Sequence, residues 1–242
     1  MKKVATPKQL EDVISSRIGS ITQCNLTDKF NRIADMAKKI KLKYNKIKLS
    51  SSSIHGRGVF ATANIPKDTI VTFYPVDSFS LMRGKEQDNY IKGRISKEFD
   101  ENFEYYQSRY TWGSYSNIFG DYGVTGDPFK HHDTHFLGHM LNDGVGNVFE
   151  KTSYEDLHSD KYICQEIFGK YTEYTETQTN CEIQDLDDLP IVFIVTTKDI
   201  QAGEELLTHY GEYYWYAIEY KKDENVEEEV DKLFEKFGLN DV

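Results

Sequence analysis

At Ile47 the apolar residues of this chain change their period, and that switch constrains the fold more than any other feature. Before it, Leu10, Val13, Ile14 and Ile18 recur at helical spacing behind Thr6-Pro7-Lys8-Gln9, which has the form of a capping box with proline in the first turn. Phe30, Ile33, Ala34, Ala37 and Ile40 repeat the spacing after Thr27, and lysines gather toward the end, where a helix dipole favours cations. Residues 1–45 therefore predict an extension of two amphipathic helices. After the switch, Ile47 and Leu49, then Val59-Phe60-Ala61, then Ile70-Val71-Thr72-Phe73 read as short strands divided by glycine and proline. Tyr110-Thr111-Trp112 predicts a compact aromatic strand, and the β-branched run Ile191–Thr196, bounded by Pro190 and Lys198, predicts a central one.

Other stretches break the strand pattern. Charged, helix-compatible residues from Arg83 to Gln107 interrupt it, and Glu150 to Gln178 is polar with Tyr154, Tyr162, Tyr171 and Tyr174 scattered through it, which reads as an insertion at about residues 146–179. From residue 217 to 242 the chain turns acidic, and Val226, Val230, Leu233, Phe234 and Phe237 form a helical stripe closed by Gly238. The expected architecture is α+β, mainly β: an irregular core of small strands over residues 46–216, with helices before it, inserted in it and after it.

Composition excludes several functions. The longest uninterrupted apolar run, Ile191 to Val195, is far short of a membrane span, and Met1-Lys2-Lys3 leads into polar residues rather than a signal-peptide apolar region. No membrane association is expected, and an intracellular setting, nuclear or cytoplasmic, follows. Three cysteines, Cys24, Cys164 and Cys181, are an odd number without CxxC spacing, which argues against a disulfide framework or a cysteine zinc cluster. Forty acidic against 29 basic residues give a net charge of -11, which repels a phosphate backbone and attracts cationic partners. Direct nucleic-acid binding is not expected, whereas a basic protein or peptide would be steered favourably. Lys130-His131-His132-Asp133-Thr134-His135 reads as a polar loop rather than a metal site, because adjacent histidines rarely converge on one ion. The N-terminal helices or the C-terminal stripe would each serve for homodimerisation.

Two motifs carry chemistry. Ser53-Ile54-His55-Gly56-Arg57-Gly58-Val59-Phe60-Ala61 sets two glycines one residue apart between strand candidates, where a backbone turns tightly and lets a ligand approach. Ile200-Gln201-Ala202-Gly203-Glu204-Glu205-Leu206-Leu207-Thr208-His209-Tyr210-Gly211 is a turn leading into a strand that ends on tyrosine and glycine. Glu204 and Glu205 invite an acid/base reading, but adjacent carboxylates on a strand point in different directions, and a solvated turn fits better. Together the two motifs resemble the opening and closing signature of SET-domain methyltransferases. Between them, Gly138-His139-Met140-Leu141-Asn142-Asp143-Gly144 is similar to the family segment ending in Asn-His-Ser, and Asn180-Cys181 to the Asn-Cys that usually follows it closely.

The resemblance spans about residues 46 to 216 and implies a SET-like pseudoknotted β fold and a protein lysine N-methyltransferase dependent on S-adenosyl-L-methionine. It implies that Gly56, Arg57 and Gly58 line the methionine end of the cofactor through backbone groups, that Asn142 holds its amino group, that Asp143 contacts adenine through its backbone and that Trp215 covers the adenine. Tyr210 would stand beside the reacting amine, Tyr110 would be a second channel tyrosine, and Trp112 and Thr208 would line the substrate channel. A histone tail, and so a role in chromatin, is the leading substrate expectation; a non-histone protein, or a catalytically silent SET-like module that binds chromatin or a partner protein, are the alternatives. Three departures stand out: Asp143-Gly144 where the family usually has His-Ser, Thr208 where tyrosine or phenylalanine commonly limits the number of methyl groups, and no cysteine-rich segment after the domain. The small Thr208 leaves mono-, di- and trimethylation all open.

Overall fold

The computed structural model describes residues 3–15, 26–83, 86–93, 95–116, 120–130, 133–186, 189–220 and 225–239. In chain order the elements are α1 (Pro7–Ser15), α2 (Leu26–Lys39), β1 (Ile47–Ser51), β2 (Arg57–Ala61), β3 (Ile70–Phe73), β4 (Ser78–Arg83), β5 (Glu86–Lys92), α3 (Lys97–Glu101), α4 (Phe103–Tyr110), β6 (Thr111–Ser116), β7 (Gly120–Thr125), β8 (Asn142–Asp143), α5 (Tyr154–Ser159), α6 (Lys161–Gln178), β9 (Cys181–Leu186), β10 (Leu189–Thr196), β11 (Glu205–Thr208), α7 (Glu212–Tyr220) and α8 (Val226–Phe237). They form two compact units, Met1–Leu141 with Asn180–Leu206, and Asn142–Thr179 with Leu207–Val242. No helix among the described residues is long and apolar enough to cross a membrane.

In the first unit, Thr6 caps α1 as expected, with Gln9 N–H donating to Thr6 Oγ1 at 3.4 Å, while Gln9 Oε1 accepts at 2.9 Å from the N–H of Ala5, one residue before the cap. Leu10 and Ile14 of α1 and Phe30 and Ile33 of α2 are buried in one cluster with Ile70, Phe73, Phe193 and Val195. Ile18 and Cys24 lie outside the described residues. β10 is the middle of a three-stranded antiparallel sheet between β3 and β9, and every one of its residues is buried. Both faces are covered, since Phe193 and Val195 belong to one apolar cluster and Ile194 to a second with Val59, Val71 and Leu206. A strand covered on both sides reads as a continuous apolar run, which is why Ile191–Thr196 was legible.

A second sheet of this unit runs in the order β5-β4-β7-β6. It corrects two expectations. The stretch from Arg83 to Gln107 holds a strand as well as helices, because β5 occupies a sheet edge, where polar and charged residues are tolerated. Tyr110 closes helix α4 instead of opening a strand, which starts at Thr111. Phe99, Phe103, Tyr106 and Tyr110 recur at helical spacing, with Phe99 against Phe103 at 5.6 Å and stacked on Tyr106 at 5.8 Å, and those contacts override the β preference of the aromatic residues.

The second unit is built from chain segments far apart in sequence. Leu207 and Thr208 pair in parallel with Asn142 and Asp143. The insertion is helical, α5 and α6, and its Leu157, Cys164 and Phe168 are buried with Phe149, Tyr216, Val230, Leu233 and Phe237. The C-terminal stripe therefore packs on the insertion. Gly238 adopts φ +66°, which lets Leu239 N–H reach back to Phe234 O at 2.9 Å and buries Leu239 behind the last turn of α8.

Candidate functional site

The first unit presents the glycine motif on a hairpin. β1 and β2 pair antiparallel with Ser50 opposite Gly58, and Ser52 N–H donates to Gly56 O at 3.0 Å to close the turn. Gly56 has φ +48°, a conformation that favours glycine, and a Cβ built there would meet nothing within 4 Å. Gly56 and Arg57 are exposed, whereas Gly58 is buried in the strand. The Arg57 guanidinium donates to Pro128 O at 2.8 Å, tying the hairpin to the loop after β7. Arg57 is also close enough to favour ionisation of Tyr110, yet burial, aided by Tyr106 and Tyr105, outweighs it and raises the Tyr110 phenol above its ordinary value. The phenol is thus neutral near pH 7.

Tyr110 is held by its own backbone, whose carbonyl accepts from Tyr74 Oη at 2.7 Å and from Gly126 N at 3.1 Å. Its ring lies 6.4 Å from that of His139, edge to face. A Cβ on Gly126 would sit 2.5 Å from the His139 ring, so glycine there permits this close approach. Trp112 packs against the apolar cluster of α1, α2 and β10. The paired carboxylates do diverge: Glu204 accepts from Gln201 N–H at 2.7 Å in the turn, and Glu205 from Ser52 Oγ at 3.0 Å. Asn180 donates to Glu205 O at 2.8 Å and so braces β11, and Cys181 is buried with its thiol pushed up by desolvation. His131 and His132 lie outside the described residues, and Asp133 caps the following turn by accepting from His135 N–H at 2.8 Å.

The second unit gathers Asn142, Asp143, Thr208, Tyr210 and Trp215. Asp143 is its centre, 3% exposed. One carboxylate oxygen accepts from Val145 N–H at 2.7 Å and from Gly146 N–H at 3.3 Å; the other accepts from Tyr210 N–H at 3.0 Å, Trp215 Nε1–H at 2.6 Å and Tyr171 Oη–H at 2.9 Å. A buried carboxylate with no cation beside it among the described residues needs such a set of donors to offset its lost hydration. The Tyr210 ring stacks on Trp215 at 5.6 Å and meets Tyr214 edge-on at 4.9 Å. Thr208 is 1% exposed, and its hydroxyl has no hydrogen-bond partner among the described residues. Gly144 N–H donates to Thr208 O at 2.9 Å, continuing the β8–β11 pairing.

Tyr171 was not singled out in the sequence. It is 3% exposed on α6, and its hydroxyl also accepts from Gly211 N–H at 2.8 Å. The signal existed, since Cys164, Phe168 and Tyr171 fall on one helical face.

No curated protein matches the chain. Among solved structures, CpSET8 from Cryptosporidium is 20% identical, with a TM-score of 0.37 over 69% of this chain and 57% of its own. A Plasmodium falciparum protein described as a candidate histone methyltransferase is 17% identical, with a TM-score of 0.34 over 70% of this chain and 96% of its own. The family model for the SET domain matches residues 56–211, from the glycine whose positive φ closes the β1–β2 hairpin to the glycine that follows Tyr210. Starting and stopping on the two motifs, and covering well over half of the chain, that match makes this protein a member of the SET-domain family.

Proposed function

We propose that this protein is an S-adenosyl-L-methionine-dependent protein lysine N-methyltransferase acting on a basic protein, a histone tail first among them. The observation that carries the proposal is the SET-domain match, which ends on Tyr210 and Gly211. The residues present suit such a cofactor: the Gly56–Arg57 backbone is exposed with open space where a Cβ would stand, and the Tyr210, Tyr214 and Trp215 rings offer faces that attract a cation. Gly56, Arg57 and Gly58 would hold the methionine end, and Asn142, the Asp143 backbone and Trp215 the amino and adenine groups. When bound, the cofactor supplies an electrophilic sulfonium methyl group.

The residues of this chain must then deliver a neutral amine in line. A lysine of pKa about 10.4 is uncharged only about once in a few thousand at pH 7, which places about 4 to 5 kcal/mol against attack. Burial beside the Tyr210 ring would disfavour the ammonium form and lower that cost, with the proton passing to water before the C–N bond forms. The Tyr210 hydroxyl orients the nitrogen lone pair, and the buried Thr208 hydroxyl has a free valence to offer the amine or a water beside it. A chain of net charge -11 suits a lysine-rich substrate.

The test is transfer of labelled methyl from S-adenosyl-L-methionine to core histones and mixed cell proteins, with mass spectrometry to locate and count the groups. Label on a histone lysine, lost in Tyr210→Phe, is the expected result. Label only on other proteins would name a non-histone substrate. No label and no calorimetric cofactor binding would leave a silent partner-binding module.

A further inference from the structure

We infer that Tyr171, on the insertion helix α6, is a positioning residue for Tyr210, acting with Asp143 to clamp the two backbone amides that bracket the Tyr210 Cα. The catalytic consequence rests on the methyltransferase proposal above. The direction of a residue's Cα–Cβ bond is set by its own φ and ψ, and these are fixed when the peptide groups on either side are fixed. At Tyr210 both are tied. The amide before the Cα donates to Asp143 Oδ2 at 3.0 Å, and the amide after it, Gly211 N–H, donates to the Tyr171 hydroxyl at 2.8 Å.

The two acceptors are joined to one another, because Tyr171 Oη–H donates to the same Asp143 oxygen at 2.9 Å. A third bond completes the frame: Trp215 Nε1–H donates to that oxygen at 2.6 Å, and the Trp215 ring is the surface on which the Tyr210 ring stacks. Asp143 cannot drift, being paired with Thr208 in β8 and β11 and held by Val145 and Gly146 amides. Gly211 has φ +93°, so the clamp holds a turn that a side chain there would strain. Desolvation, reinforced by Asp143, raises the Tyr171 phenol well above its ordinary value, so it keeps the proton it donates throughout any working pH.

The insertion thus fixes the reactive tyrosine. Tyr171→Phe keeps the ring and removes only the hydroxyl, freeing Gly211 N–H and one position on Asp143. Methyl transfer by the full chain to core histones and mixed cell proteins is measured with cofactor affinity by calorimetry, well below the melting midpoint. Misplacement of a reacting group predicts a fall in kcat of about tenfold or more, with KM and cofactor Kd within about twofold of wild type. Phe168→Leu, which loosens α6 packing without touching Asp143, is expected to melt earlier and keep its kcat, separating positioning from plain destabilisation. Asp143→Asn, which puts an amide donor where donors converge, should lose at least as much kcat as Tyr171→Phe.

Backbone amide exchange on the unsubstituted protein gives a readout independent of any variant: Tyr210 and Gly211 should be as protected as Leu207 in β11. Exchange at the rate of an open turn, or a Tyr171→Phe enzyme with wild-type kcat beside an inactive Tyr210→Phe, overturns the clamp alone. A fully active Tyr210→Phe, or no transfer by the unsubstituted protein, overturns the methyltransferase proposal and the catalytic part of the clamp with it.

Discussion

Phe168→Ala tests how the insertion and the C-terminal helix are held. Phe168 is 3% exposed, meets Phe149 at 5.4 Å and Phe234 at 4.8 Å, both edge to face, and so joins α6 to α8 and to the segment before α5. Truncating a buried phenylalanine to alanine costs about 3 to 5 kcal/mol, the lost transfer energy plus the cavity left behind. Phe149 and Phe234 each lose an edge-to-face ring contact as well, so the upper half of that range is expected. Whole domains are stable by only about 5 to 15 kcal/mol, so the change removes a large share. At about 2 to 4 °C per kcal/mol for a chain of this size, a loss of about 4 to 5 kcal/mol should lower the melting midpoint by roughly 8 to 20 °C. Urea unfolding followed by circular dichroism, with Tyr162→Ala as a control on the same helix but 81% exposed, measures the difference. The control should stay within about 0.5 kcal/mol of wild type. A loss below about 1 kcal/mol for Phe168→Ala would refute the packing of insertion against C-terminus.

Three further outcomes are expected. Burial holds the His135 ring below its ordinary value of 6.5, its Nε2 3.1 Å from Ala37 O, so the unfolded chain binds the proton more readily. The stability this neutral ring contributes is full above about pH 6.5 and is lost as pH falls from there through the lower folded-state value; chemical denaturation across that window should show a slope that His135→Gln reduces. Gly126→Ala would press a methyl to 2.5 Å from the His139 ring, and an overpacking cost of about 1 to 3 kcal/mol should appear as an earlier thermal transition; no change would mean that His139 moves freely. Thr208→Tyr fills space at a position 1% exposed, and mass spectrometry of the product should show fewer methyl groups per lysine; an unchanged count would detach Thr208 from the channel.

Much of this was legible in the residues, and the rest was hidden for physical reasons. β10 and the capped α1 announce themselves because one is covered on both faces and the other carries its own hydrogen-bonding partners. The family motifs were legible because Gly56, Gly203 and Gly211 adopt conformations that other residues avoid. β5 was not, since an edge strand needs no apolar alternation. Tyr110 was misplaced onto a strand because its helical contacts run backward to Tyr106, while its aromatic neighbours in sequence favour β. The hub at Asp143 could not be seen at all. It draws donors from two stretches distant in sequence, Tyr171 on α6 and the segment from Tyr210 to Trp215, and a sequence read in order shows only an aspartate where a histidine was expected.

The division of the second unit between Asn142–Thr179 and Leu207–Val242 sets a timetable for synthesis. A ribosome releases the insertion helices long before α8, so Cys164 and Phe168 wait with no C-terminal partner while Asn180–Leu206 is still being added. The parallel pairing of Asn142 with Leu207 cannot nucleate until most of the chain has emerged, and such distant pairings are slow to form. The nascent chain is therefore most prone to aggregate until α8 has emerged, and a chain cut short before α8 loses the partner that covers its insertion.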